Sequence, residues 1–297
     1  MIESLLGYDF LANPTAATLA ALVFGLLVGS FLNVVILRLP ARLEWQWKQD
    51  ARDTLGLTDT YDPAPPGIVV EGSHCRHCGH KLAPWENIPL VSYVALGGKC
   101  RQCRQPISLQ YPAVELLTGL LFAACIWRFG ADVEGGLALV FTGVLIAAAG
   151  IDLRTTWLPD QLTLPLLWIG LLASLVTVYV DPVSAILGAA AGYASLWSVY
   201  KLFKLVTGKE GMGYGDFKLL AALGAWCGIK AILPILLISS LVGAVIGSIW
   251  LLAKGKDRGT QIPFGPYLAI AGWIQFISGA DLLGMYLQWI APTAAGG

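Results

Sequence analysis

The sequence predicts an all-α polytopic membrane protein of about eight transmembrane helices, with a cytoplasmic zinc-binding loop domain between the first two. Three observations carry this. Hydrophobic residues fill 56% of the 297 positions and charged ones 13%, about half the charged share usual in a soluble domain. Apolar runs long enough to cross a bilayer recur along the chain. Two Cys-x-x-Cys pairs lie in its one long polar stretch, residues 38–112.

The first apolar run spans residues 16–37. The segment ahead of it holds Glu3 and Asp9 and no Lys or Arg, whereas a secretory leader begins with positive charge. The run is therefore expected to remain as a helix. Its second half carries Ser30 and Asn33, and a buried amide requires a partner. Asn33 either cross-links two helices or lines a pocket.

The polar stretch opens with Arg42-Leu43-Glu44-Trp45-Gln46-Trp47-Lys48, whose tryptophans suit an interfacial helix. Asp62 to Gly67 is Pro-rich and reads as a loop. Cys75-Arg76-His77-Cys78 and Cys100-Arg101-Gln102-Cys103 follow, with 21 residues between the pairs. Tight turns at that spacing can set four thiolates around one zinc ion. His74, His77 and His80 crowd the first turn, but four cysteines already complete a tetrahedron. The rival readings are disulfides or a thiol redox site, which would need an oxidising compartment. Cys125 and Cys227 sit singly in apolar runs and read as packing residues.

Further runs lie near 113–129 and 135–151. Glu115, at the start of the first, suits the helix dipole or a polar role at the membrane surface. Asp152 closes the second, and Asp160 reads as the N-cap of the next run, 161–180. After 183–205 comes Gly211-Met212-Gly213-Tyr214-Gly215-Asp216-Phe217-Lys218, a polar turn whose glycines leave room for a neighbouring chain. One helix from Phe217 to Ala253 would run about 55 Å, far beyond a hydrocarbon core of ~30 Å. Lys230 is therefore read as a turn between a short run, 217–229, and a longer one, 231–253. Lys254 to Arg258 reads as a solvated loop, and Ile262 to Tyr267 breaks the chain before a last run, 264–280.

Eight spans place 17 of the 19 Lys and Arg on one side, leaving Arg128 and Lys230 opposite. The rich side is cytoplasmic by the positive-inside rule, which puts both termini outside and explains the loop's arginines without a nucleic-acid partner. Asp152 and Asp216 then meet the same membrane face. Charges are nearly absent from the middles of the runs, which argues against an ion or proton pathway. Gly188 to Gly192 and Gly243 to Gly247 suit close helix packing.

Taken singly, each aspartate reads as a helix-boundary residue. Together at one surface, two carboxylates can share a proton, one acting as base on water and the other as acid toward a carbonyl. Segment polarity favours Asp216 as the base, with Lys218 in the same first turn adding positive potential beside it. A scaffold or transporter would instead use both aspartates only as helix caps.

At this point the chain resembles the type IV prepilin peptidases, membrane aspartyl proteases of the Gly-x-Gly-Asp type. The resemblance rests on Gly29-Ser30-Phe31-Leu32-Asn33-Val34-Val35, the two cysteine pairs, Glu86-Asn87-Ile88-Pro89 and Tyr111-Pro112-Ala113-Val114-Glu115. It continues through Asp152 with Leu158-Pro159-Asp160, Gly213-Tyr214-Gly215-Asp216-Phe217-Lys218 and Pro263-Phe264-Gly265-Pro266. It implies a bifunctional enzyme of a bacterial inner membrane that cuts a basic leader from prepilins or type II secretion pseudopilins. The same enzyme would methylate the new N-terminal residue from S-adenosylmethionine. Asp152 and Asp216 match the family's catalytic pair, within the loop of Gly213, Gly215 and Lys218. Cys75, Cys78, Cys100 and Cys103 match the cysteines of its bifunctional members. The implied organisation is a periplasmic N-terminus and first helix (1–37), a methyltransferase-associated zinc loop (38–112) and a membrane peptidase core (113–297). No strand leads into a G-x-G-x-x-G turn, so no Rossmann-type donor site is legible.

Overall fold

The computed structural model describes residues 13–57, 63–209, 211–254, 263–279 and 284–285. Among them every regular element is helical, with two isolated β-bridges and no strand. The helices are α1 (Pro14–Thr54), α2 (Val91–Ala95), α3 (Gln110–Phe129), α4 (Val133–Thr155), α5 (Asp160–Ser174), α6 (Pro182–Thr207), α7 (Tyr214–Cys227), α8 (Ile232–Lys254) and α9 (Gly265–Ser278). Among the described residues, five segments are long and apolar enough to cross a membrane: α1, α3, α4, α6 and Ile229–Ile249, most of which is α8. The helices expected as the other three spans, α5, α7 and α9, have 15, 14 and 14 residues. At 1.5 Å per residue those are only about 21–23 Å long. The expectations for the segment before Asn13 and for Lys256 and Arg258 lie outside the described residues.

The chain divides into two compact units, residues 1–147 and 148–297. In the first, α1 begins at Asn13, whose side chain accepts from Thr15 N and Ala16 N at 3.0 and 3.3 Å, and at Pro14, which has no donor to lose there. It then runs unbroken for 41 residues. The separate interfacial helix expected at Arg42–Lys48 is instead the far end of α1, continuous through Pro40. What the polar end gains there is a loop to hold. Arg38 donates to the carbonyls of Gly67, Glu71 and Gly72 at 2.6–3.0 Å, and Arg42 to that of Pro65 at 2.8 Å. Nearer the start, α1 packs on α3 so closely that a Cβ at Gly29 would lie 2.7 Å from Glu115 Cα.

The second unit is built around α7. Phe217, Leu219, Leu220, Leu223 and Trp226 are all essentially inaccessible, so from Leu219 to Trp226 the helix is apolar and enclosed on every side. Trp226 satisfies its indole N–H on the Leu166 carbonyl of α5 at 2.8 Å. On α6, a Cβ at Gly188 would come 2.4 Å from the Gly224 carbonyl, so the small-residue run is a helix-packing seam, as its composition suggests. The helix ends at Gly228, and a 3-10 turn at Ile229–Ala231 precedes α8. The chain thus breaks beside Lys230, where the length argument requires it.

Candidate active site and metal centre

Both aspartates belong to the second unit. Asp152 lies in the last turn of α4 and is 3% exposed. Its Oδ2 accepts from Gly265 N at 2.9 Å. Gly265 is the first residue of α9, so this N–H is one of the donors that a helix start leaves unpaired within the helix. The carboxylate therefore caps α9 from across the unit. Any side chain at 265 would intrude: a Cβ there would sit 2.7 Å from Asp152 Oδ2 and 3.1 Å from Leu158 Cδ1.

Asp216 is the third residue of α7 and is also buried. It interacts electrostatically with Asp152, and Gly213 caps the helix just ahead of it. Its Oδ1 is buried without a hydrogen-bond partner. An unpartnered buried acceptor costs about 1–3 kcal/mol, so this oxygen is open to a donor from water or substrate. Gly215 supplies the room anticipated for that turn, because a Cβ there would lie 2.6 Å from Leu158 Cβ. The segment after Asp152 thus presses on the segment before Asp216.

Lys218 does not pair with Asp216. Its ammonium lies 2.6 and 2.8 Å from the two carboxylate oxygens of Asp160. Asp160 is the first residue of α5, one position past the cap at Pro159. The pair ties the start of α7 to the start of α5, and half-exposure holds its worth to about 1 kcal/mol or less.

In the first unit the four cysteine sulfurs lie within 4.8 Å of one another. Cys75 Sγ is 3.8 Å from Cys103 Sγ, and Cys78 Sγ is 4.0 Å from Cys100 Sγ. A tetrahedron with Zn–S bonds of about 2.3 Å has edges of about 3.8 Å, so the donor set fits a zinc ion. All four are free thiols, grouped as a metal cage rather than as two bonded pairs.

The two turns repeat one design. Cys75 N donates to the His80 carbonyl and Gly79 N to that of Cys75, while Cys100 N donates to Gln105 and Arg104 N to Cys100, all at 2.8–3.0 Å. Bridges His74–Lys81 and Lys99–Pro106 close each turn. The residue after the second cysteine has positive φ in both, 72° at Gly79 and 58° at Arg104. The backbone N–H of Cys78 leads the effects that bring the Cys75 thiol down to about 7, and thiolate is the form that binds metal. His80 is engaged elsewhere, its Nε2 3.1 Å from Glu86 Oε2. The N–H of Ala83, 2.8 Å from the same oxygen, is the main cause holding the Glu86 carboxyl below its ordinary range.

Of the two readings for Asn33, the structure gives the cross-link. Its Nδ2 donates to the carbonyls of Gly29 on α1 and Tyr111 on α3 at 3.2 and 3.1 Å. Glu115 sits beyond the first turn of α3, so the dipole is not its role. Its Oε2 accepts from Leu90 N at 2.9 Å and holds the loop against the helix pair. The contacts of Leu158 and Gly265 with the aspartate segments escape sequence reasoning. Pro263-Phe264-Gly265-Pro266 is recognisable as a motif, but nothing in its spelling says that an amide 113 positions away meets Asp152.

Two family models cover most of this chain: the bacterial Peptidase A24 N-terminal domain over residues 23–129 and the type IV leader peptidase family over residues 139–248. A protein of Xanthomonas campestris pv. campestris is 64% identical over 277 residues, 93% of this chain and 96% of its own. One of Pseudomonas aeruginosa is 52% identical over 282 residues, 95% and 97%, and one of Aeromonas hydrophila is 51% identical over 266, 89% and 92%. All three carry the name prepilin leader peptidase/N-methyltransferase. No solved structure matches the chain. With its two matched domains in the same order and relatives of such identity along nearly its whole length, the chain belongs to the type IV leader peptidase family.

Proposed function

We propose that this protein cleaves the leader peptide of type IV prepilins or pseudopilins and then N-methylates the residue exposed by the cut. The observation that carries the first half is the pair of buried carboxylates on α4 and α7, Asp152 hydrogen-bonded to Gly265 N and Asp216 presenting an unpartnered oxygen. Asp152 and Asp216 act as the dyad. One takes a proton from water as the water attacks the scissile carbonyl, and the other gives its proton to that carbonyl oxygen. Gly213 and Gly215 shape the approach to Asp216, while Lys218 braces the helix start through Asp160. Gly265 N fixes the Asp152 oxygen that is not free to react.

Cys75, Cys78, Cys100 and Cys103 hold a structural zinc that rigidifies the loop. S-adenosylmethionine supplies the methyl group when bound. The protein sits in a bacterial inner membrane with eight spans, the three short helices among them. Its dyad and zinc loop face the cytoplasm and both termini face the periplasm, the orientation supported by the Lys and Arg asymmetry.

The test is incubation of the purified protein with a prepilin and methyl-labelled S-adenosylmethionine. A mobility shift and label on the new N-terminus are expected together. An uncut prepilin, with Asp152→Asn behaving as the parent protein does, removes the reading.

A further inference from the structure

We infer that S-adenosylmethionine binds in a cavity of the first unit, walled by one face of α1, the two cysteine turns and the start of α3, with Glu115 in its wall. This rests on the methyltransferase half of the proposed function. The cavity holds about 480 Å³, within the range of small-molecule sites. Its α1 face is Ser30, Val34, Leu37, Arg38 and Ala41, at helical spacing along one stripe.

The donor carries an adenine ring, a ribose diol, a carboxylate and two positive groups, the sulfonium and the ammonium. A site for it needs aromatic or apolar walls together with charges of both signs. This cavity has them: Tyr93 and Leu37 among its walls, Arg101 and Glu86 at the metal-loop side, and Glu115 against the helices. A second cavity of about 500 Å³, in the other unit, is lined by no charged residue at all.

Glu115 is the independent pointer to a cation. It is 7% exposed, and its carboxylate accepts from Leu90 N at 2.9 Å. Among the described residues no Lys, Arg or His pairs with it. A carboxylate offers about four acceptor positions, and an ionised one left without a counter-charge in a dry wall is costly. The cationic methionine end of the donor supplies that counter-charge. Arg38, the cation closest along α1, is committed to three loop carbonyls.

Direct donor binding tests the site apart from catalysis. Full-length protein in detergent is titrated with labelled S-adenosylmethionine by equilibrium dialysis, and methyl transfer is followed on a pre-cut pilin peptide. Ala41→Trp fills the cavity from an exposed position on α1 and should abolish binding, with zinc content and leader cleavage unchanged. Glu115→Gln keeps an oxygen for Leu90 N but loses the charge. It should weaken donor binding about tenfold, the loss expected of one charge-assisted contact. Ultraviolet cross-linking of the labelled donor should mark peptides within residues 30–41 or 73–115. Parent protein that binds donor while both variants bind it equally well overturns the site and leaves the function standing, as does label confined to residues 148–297. Parent protein that neither binds nor transfers overturns the methyltransferase reading itself.

Discussion

Replacing Gly265 by alanine should cripple proteolysis without unfolding the protein. A Cβ at this position would lie 2.7 Å from Asp152 Oδ2, where ordinary contact begins at about 3.4 Å, so the carboxylate must retreat by about 0.7 Å. Leu158 Cδ1, 3.1 Å from the same point, closes the other direction. The backbone is no obstacle, since Gly265 is not among the residues with positive φ. A misplacement near 1 Å can cost about a hundredfold in rate. The expected loss is therefore roughly 30- to 100-fold in kcat, about 2–3 kcal/mol of barrier, with KM little changed. Steady-state cleavage of a prepilin in detergent measures it. Gly136→Ala is the control, because a Cβ there meets nothing within 4 Å and alanine suits a helix better than glycine by up to about 1 kcal/mol. A Gly265→Ala enzyme that melts with its parent and keeps kcat within about twofold refutes the positioning of Asp152 by this amide.

Asp152→Asn and Asp216→Asn should each lower cleavage at least about a thousandfold with the fold intact by circular dichroism; retained cleavage in either variant would favour the helix-cap alternative. The protein should bind one zinc per chain by metal analysis, and Cys75→Ser or Cys100→Ser should lose it; four reactive thiols and no zinc in fresh protein would remove the metal centre. Zinc loss should depress methyl transfer to a pre-cut peptide far more than leader cleavage, and equal loss of both would make the two halves interdependent. Gly79→Ala forces alanine to φ near 72° and should destabilise the first turn by about 1 kcal/mol, read as faster zinc release to a chelator, whereas an unchanged release rate would show that the turn tolerates the strain.

Local chemistry was legible, and long-range contact was not. The cysteine pairs announce themselves because each turn closes within a few residues, whereas Asp152 and Asp216 draw notice only together, as two carboxylates assigned to one membrane face. The break near Lys230 followed from length alone. Lys218 reads in the sequence as positive potential beside Asp216, two residues away, and gives no hint of its ion pair with Asp160, 58 positions back, which approaches only through the packing of α5 on α7. Gly265 was hidden for the same reason. The continuity of α1 through Pro40 defeats a local rule, since an internal proline normally kinks or ends a helix. The Arg38 and Arg42 contacts that fasten the loop to this end of the helix reach 23–34 residues along the chain.

The enclosure of α7 separates the peptidase from the lipid around it. A 14-residue helix would ordinarily answer to acyl-chain length, by thinning the bilayer or drawing its ends inward. Here Leu219 to Trp226 meet protein on all sides, so the depth of Asp216 is set by α5, α6 and α9 rather than by hydrophobic mismatch. Asp152, fastened to α9 by its cap on Gly265, shares that frame. Proteolysis should accordingly hold a nearly constant rate in membranes of short and long phospholipids alike, with the outer helices absorbing the change in thickness.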